Sequence, residues 1–422
     1  MSAPPFWLIP ALGVLIGVAL PLYAWRARGR QYAMFTGVVV LISFPMAVVL
    51  AVRLEALLGA WVGWLFVYAF VAAGIHAMRL VNAKLRQRIY RYAISLPGMT
   101  LQALGAMSLP YFVVMLPIRG VLWWTGANEA LDTLRWLDLL PVAVIAASLF
   151  SSLTLRRETV RFSLGGEGPA QFERMPLERH RRSVPPLTAR PLRIVQITDP
   201  HLGPWQPIHR LSRRLEELLA HDPDLVLLTG DFLTMEGNGT PGCLTEALEP
   251  LKRIEGRCFA CFGNHDHEAP DEVRQAMRAN GIRLLVDDAT VTETAVGPVQ
   301  IVGADFHRED RQEKLGALFD AHPRIDDHLR LLLLHDPGHF RDLTVGEADL
   351  TLSGHTHGGQ VGLVSFGLDW TVLSRSRWPD HGLFGHGPSR LYVHRGTGFY
   401  GFPLRVGVPG EASLMELVLP TR

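Results

Sequence analysis

The stretch Leu350–Gln360, reading LTLSGHTHGGQ, carries two histidines, His355 and His357, two positions apart and enclosed by glycines. Imidazoles bind metals and move protons near neutral pH. The apolar run Leu350–Ser353 predicts a buried strand, with both rings on the loop at its C-terminal end. Open α/β sheets place their ligands at that edge, and glycine there permits positive φ and close backbone approach. A lone His-x-His is ordinarily a pair of solvated loop histidines, so the rest of the chain must decide. Four other segments repeat the pattern of an apolar run ending in polar residues. They are Leu192–Asp199 followed by Pro200 and His201, Leu225–Asp231, Cys258–Asp266 (CFACFGNHD) and Leu331–His335. Gathered at strand ends are Asp199, His201, Asp231, Asn264, His265, His335, His355 and His357. Carboxylate, imidazole and amide oxygen donors suit Mn, Fe or Zn better than Mg or Ca. The set exceeds what one tetrahedral zinc requires. Two divalent transition metal ions sharing a carboxylate fit the count.

These blocks, D-x-H, G-D, G-N-H-D, a lone H and G-H-x-H in that order, resemble the calcineurin-like metallophosphoesterases. The likeness extends over about residues 190–420. The tail Arg395–Glu411, RGTGFYGFPLRVGVPGE, is similar to that of a bacterial, often membrane-associated subgroup. The resemblance implies a four-layer α/β/β/α sandwich and a metal-dependent phosphoester hydrolase without a phosphoenzyme intermediate. It implies Asp199, His201 and His357 on one metal, Asn264, His335 and His355 on the other, and Asp231 bridging, with a metal-bridging hydroxide as nucleophile. His265 would contact the phosphate and protonate the leaving oxygen, and Asp266 would orient His265 by a hydrogen bond. Departures are Pro200 inside D-x-H, Asp336 after His335 where asparagine is common, and Gly410 where proline is usual. They bear on substrate details rather than on metal binding.

The elements that must position these residues fill the second half of the 422-residue chain, where 16 of its 17 histidines lie from His180 onward. Leucines 211, 215, 218 and 219 predict a helix over Ile208–His221. Further helices are expected over Asp271–Asn280 and Glu309–Ala321, and strands over Val299–Gly303 and Leu414–Leu419. Cys243, Cys258 and Cys261 suggest no disulfide framework. Cys258 and Cys261 resemble a zinc or redox pair, but on a strand positions three apart face opposite ways, so both are read as buried apolar residues. A net charge of +1 offers no basic face to nucleic acid.

Residues 1–155 read as an all-α transmembrane bundle. Five apolar runs are long enough to cross a bilayer or nearly so: Phe6–Trp25, Ala33–Val52, Leu57–Met78, Met99–Ile118 and Leu139–Leu155. Phe6–Trp25 lacks the charged lead and cleavage site of a removable signal. Arginine and lysine concentrate after the first, third and fifth runs, while Arg53, Arg119 and Arg135 fall on the opposite side. That bias predicts an outer N-terminus, Trp123 and Trp124 at the outer interface, and a cytoplasmic catalytic half in a multi-pass inner or plasma membrane protein. No carboxylate falls mid-span, which argues against a transporter. No expected metal ligand is missing, which argues against a mere scaffold. Residues 156–190 read as an arginine- and proline-rich junction with a headgroup-facing collar, a short edge strand Val160–Leu164 and an extended lead-in Arg181–Pro191. Residues 191–422 form the catalytic domain.

The expected substrate is a lipid-linked phosphodiester or pyrophosphate, since some membrane-associated relatives cleave a pyrophosphate in nucleotide-linked lipid A precursors. The alternative is a soluble-nucleotide or general phosphodiesterase or phosphatase. Arg395 and Arg405 would pair with a second phosphate. Apolar Phe366, Trp370, Trp378, Phe384, Phe399, Tyr400 and Phe402 would line the entrance, with Trp378 meeting the lipid.

Overall fold

The computed structural model describes residues 2–181, 184–187 and 189–419. The chain divides into two compact units, one of residues 1–150 with 401–406 and the other of residues 151–400 with 407–422. Part of the expected lead-in Arg181–Pro191 lies outside the described residues.

The first unit contains long apolar helices, as uninterrupted hydrophobic sequence requires where no water can satisfy the backbone. Candidate spans cover Leu8–Arg28, Arg30–Leu58, Ala60–Asn82, Arg88–Trp124 and Asn128–Leu153. The second and fourth run well past the apolar stretches that announced them. Arg119, expected in a loop, therefore lies inside the helix Leu96–Trp124. It is tolerated there because its guanidinium is paired. Nη1 lies 2.9 Å from the Asp138 carboxylate, which also accepts from Arg53 Nε at 2.8 Å and the Tyr111 hydroxyl at 2.8 Å. A charge buried among helices persists when it is paired in this way. Among the core residues of this unit are Phe44, Leu50, Phe66, Phe70 and Phe112.

The second unit is built on fourteen strands. In chain order they are β1 (Leu155–Ser163), β2 (Glu173–Arg174), β3 (Glu178–His180), β4 (Leu192–Ile197), β5 (Leu225–Thr229), β6 (Cys258–Cys261) and β7 (Arg283–Leu284). There follow β8 (Asp288–Thr294), β9 (Gly297–Gly303), β10 (Leu329–Leu333), β11 (Leu350–Ser353), β12 (Gly382–His386), β13 (Ser389–Val393) and β14 (Gly410–Val418). They form two seven-stranded sheets, ordered β3-β1-β14-β4-β5-β6-β7 and β2-β12-β13-β11-β10-β9-β8. Alternate residues of each central strand enter one shared core. Ile194, Leu225, Leu227 and Phe259 of the first sheet meet Ile301, Leu331, Leu333, Leu350 and Leu352 of the second. Period-two alternation thus buries one face between the sheets. On the far face of the second sheet, Leu315 and Leu318 of the helix Arg311–Ala321 cover Val302, Leu332 and Leu334. The helices Ile208–Leu219 and Pro270–Ala279 each bury one apolar side, through Leu211, Leu215 and Leu218 and through Val273, Ala276 and Met277. The expected four-layer α/β/β/α sandwich is what forms.

The junction differs from expectation. Val160–Leu164, read as a short edge strand, belongs mostly to the nine-residue β1, which is interior to its sheet. β1 pairs in parallel with β14 along its whole length and antiparallel with β3 on its other side. The arginines expected as a collar are largely engaged within the domain. Arg157 pairs with Glu217, Arg161 with Glu416, Arg174 with Asp380 and Arg179 with Glu158. All three cysteines are free and buried, and burial pushes Cys258 up to about 12. They are apolar filling rather than a metal or redox pair.

Candidate metal centre

β4, β5 and β6 are adjacent and parallel, as are β10 and β11. Their carboxyl ends therefore present the same edge, where exhausted ladders leave loop backbone free to turn. The turns are tight. Asp199, His201, Asp231, His355 and His357 all have φ between +44° and +67°. Left-handed backbone is costly for such residues and clusters where a site demands it. Glycines make room beside them. A Cβ on Gly354 would lie 2.2 Å from Asp199 Oδ2, and one on Gly263 2.3 Å from Asp231 Oδ1. Gly354 is thus required for space, whereas Gly358 and Gly359 supply the positive φ expected of this loop.

Two clusters result. Asp199, His201 and His357 converge in one, and Asp231, His335 and His355 in the other. His357 Nε2 stands 3.4 Å from Asp199 Oδ1 and 3.2 Å from His201 Nε2. A cation held at about 2.0–2.2 Å by its donors leaves neighbouring donors about 3–3.5 Å apart. Asp231 Oδ2 faces both groups, 3.8 Å from His201 Nε2 and 3.3 Å from His335 Nε2. The amide oxygen of Asn264 is buried with no hydrogen-bond partner among the described residues. An orphaned buried acceptor of this kind calls for an explanation, and a cation supplies one. His335 Nδ1 lies 2.6 Å from the Thr229 carbonyl, to which it can donate only as Nδ1–H. That tautomer leaves Nε2 free to ligate.

Electrostatics agree with this fit. Burial pushes His201 down to about 3 and His355 down to about 4, leaving neutral rings able to donate lone pairs. Burial raises Asp199 to about 6, with Asp231 adding to the rise. Burial opposes ionisation of Asp231 too, but the neighbouring His335 imidazole outweighs it and holds the carboxyl well below its usual range. Burial likewise disfavours a charged His335, yet Asp231 drives it up to about 10. The carboxylates are recruiting positive charge from an imidazole, a charge that bound cations would supply.

His265 is held differently from expectation. Asp266 does not touch its ring. The Asp266 carboxylate instead accepts from the backbone N–H groups of Asp231, Phe232 and Gly263 at 2.7–2.8 Å, tying the two metal-bearing loops together. The ring is held by Glu268, whose carboxylate lies 2.8 Å from His265 Nδ1. A short 3₁₀ turn over Asp266–Glu268 brings residue 268 back above residue 265, because positions three apart eclipse in that geometry. Tyr400 stacks on the face of that ring, the two centres 4.4 Å apart at 13°. Neither Glu268 nor Tyr400 was singled out as a partner of His265, although Glu268 stands three residues after it.

The expected phosphate-binding arginines are engaged elsewhere. Arg395 is fully buried, with Nη2 2.6 Å from Glu158 and Nε 3.5 Å from Glu411. Sequence reasoning could not find this, because Glu158 lies on the strand that was read as a junction. Arg405 is buried as well, so neither offers an open guanidinium fork. Trp378 is half-buried beside Gly338, with Arg377 4.4 Å from its ring centre.

Comparison with known proteins agrees with this geometry. Residues 192–359 match the family model of the calcineurin-like phosphoesterases. Over 256 residues the chain is 30% identical to Phosphodiesterase YaeI of Escherichia coli, spanning 59% of this chain and 90% of that protein. It is 32% identical over 239 residues to the metallophosphoesterase YkoQ of Bacillus subtilis, spanning 54% and 83%. A Bos taurus transmembrane protein with a metallophosphoesterase domain is 26% identical across 70% of this chain and 66% of its own length. The chain belongs to the calcineurin-like metallophosphoesterase family. It is a membrane protein with a metal-dependent phosphoester hydrolase domain.

Proposed function

We propose that the protein is a membrane-anchored phosphoester hydrolase using two divalent transition metal ions, and that its substrate is a lipid-linked phosphodiester or pyrophosphate. The observation that carries the two-ion reading is the position of Asp231 Oδ2, within 4 Å of an imidazole nitrogen of each cluster. Asp199, His201 and His357 would hold one ion, and Asn264, His335 and His355 the other. When bound, such ions polarise phosphoryl oxygens and lower the pKa of a coordinated water. His265, fixed through Nδ1 by Glu268, presents Nε2 as the proton donor to the leaving oxygen. The backbone N–H of His265 donates to Asp231 Oδ1 at 2.8 Å, so the loop carrying the ring is bonded directly to the bridging carboxylate. Asp266 locks that loop to the one bearing Asp231.

A diester is favoured by the phosphodiesterase name of the Escherichia coli relative. Lipid linkage is favoured by the five apolar helices, the last of which ends at Leu153, with one residue between it and the start of β1. Purified full-length protein loaded with manganese should hydrolyse bis(p-nitrophenyl) phosphate, and should hydrolyse a lipid phosphodiester faster in mixed micelles than as monomers. Trp378→Ala should lose the micellar substrate about tenfold while sparing the chromogenic one, as expected for removing a half-buried apolar contact. Equal loss on both, or turnover of soluble nucleotides alone, would contradict the lipid reading.

The orientation proposed has the catalytic half in the cytoplasm. It rests on arginine and lysine bias, which survives the transfer of Arg119 from loop to helix because Arg119 leaves the sparsely charged side. A reporter fused after Arg422 should be active inside, and one inserted near Glu129 outside. The reverse pattern would refute the orientation.

A further inference from the structure

The loop bearing His355 and His357 runs directly into a small hairpin. Gly362 bridges Thr371, Leu363 N–H donates to the Trp370 carbonyl at 2.8 Å, and Val372 N–H donates to the Val361 carbonyl at 3.0 Å. The outer part of this hairpin is exposed and apolar. Leu363, Phe366, Leu368, Trp370 and Val372 are 38%, 77%, 55%, 48% and 54% exposed. Five large apolar side chains within ten residues exceed the scattered exposure ordinary for a soluble surface. Each is displayed by a hydrogen-bonded turn, so the exposure belongs to a built element.

The base of the hairpin is polar and anchored. Asp380 is 2% exposed, and its carboxylate accepts from Thr371 Oγ1 at 2.6 Å and Ser374 Oγ at 3.1 Å. Its carbonyl accepts from Thr356 Oγ1 at 2.7 Å, and Thr356 stands between the two histidines. One residue therefore ties the hairpin to the metal-bearing loop.

We propose that the Leu363–Val372 hairpin is a membrane-contact element whose apolar tip seats at the headgroup–acyl boundary of an anionic bilayer. Tryptophan, phenylalanine and leucine on one tip with arginine beside them is the composition of interfacial segments. Arg375 and Arg377, both exposed, stand next to it for anionic headgroups. The only acid in the tip, Asp369, is paired back toward His381 at 3.7 Å. A bilayer is chosen over a protein partner because this chain brings one with it. A single residue, Thr154, separates the last apolar helix from the first strand of the catalytic unit. The inference extends the lipid-linked reading above, since a tip seated in lipid would hold the His355–His357 loop at the surface where such a substrate lies.

The test places a cysteine at the tip, Phe366→Cys, in the full chain. The three native cysteines are buried and leave the label a single site. The protein is labelled with an environment-sensitive fluorophore and reconstituted in phosphatidylethanolamine–phosphatidylglycerol nanodiscs. Emission should be lost with nitroxide-bearing lipids and resist aqueous iodide, whereas the same label at exposed Asp326 should respond to iodide alone. Iodide quenching of the tip label would overturn the proposal. So would energy transfer between labelled copies without lipid quenching, which would make the occupant a second chain. Turnover is measured on the same samples. A lipid-seated label with activity only on soluble diesters would defeat the lipid-substrate reading and leave the surface standing. A water-exposed label with lipid turnover would do the reverse.

Discussion

Replacing His265 with alanine is expected to leave the metal content unchanged and to reduce turnover by about 10²–10⁴-fold, the range for loss of a general acid. Retention of metal follows from the geometry. His265 lies outside both ligand clusters, its Nδ1 is taken by Glu268, and its connection to Asp231 runs through the backbone N–H, which alanine preserves. Loss of catalysis follows because His265 stands beside the clusters with one nitrogen held by Glu268 and Tyr400 stacked against its face, which leaves Nε2 to donate a proton. Burial works against a charged His265 ring, but the Glu268 hydrogen bond and the Asp231 charge outweigh it and hold its pKa above the ordinary value. Glu268→Ala should therefore show a smaller loss, about tenfold and mainly in kcat. Metal analysis and steady-state kinetics on the purified variants check both. Loss of metal from His265→Ala would make it a ligand, and a wild-type kcat in Glu268→Ala would remove the orienting role.

The strand-loop pattern was legible because each metal-cluster residue follows a continuous apolar run, the mark of a parallel strand buried on both faces. Asp199, His201, Asp231, His335, His355 and His357 are thus gathered by the sequence pattern alone. Side-chain partnerships were less legible. Asp266 and Glu268 are both acids close to His265, and only the 3₁₀ turn decides that the second reaches the ring. Arg395 and Arg405 read as open phosphate forks because nothing local reveals burial. The carboxylate that claims Arg395 lies 237 residues earlier in the chain, on a strand whose arginines disguised it as a linker. The long helices were plain from hydropathy, but their ends were not. Helices continue through polar residues when partners satisfy them, as Asp138 does for Arg119. The hairpin tip was visible as apolar residues near the site, and only the structure separates exposed Phe366 and Trp370 from buried Phe384 and Phe399.

The central claim is that Asp231 joins two metal sites into one centre. Its carboxylate is 2% exposed and meets imidazoles from both clusters, while its other oxygen accepts the N–H of His265. Asparagine keeps the shape and removes the charge. A buried site stripped of a shared anion should lose both cations rather than one, because each would face a less compensated neighbour. The decisive measurement is metal analysis by mass spectrometry on wild-type protein and Asp231→Asn, paired with bis(p-nitrophenyl) phosphate turnover. Two ions per wild-type chain, with ions and turnover lost together in Asp231→Asn, is the result this account predicts. Fully active wild-type protein holding a single ion, or an Asp231→Asn variant that keeps both, would contradict it.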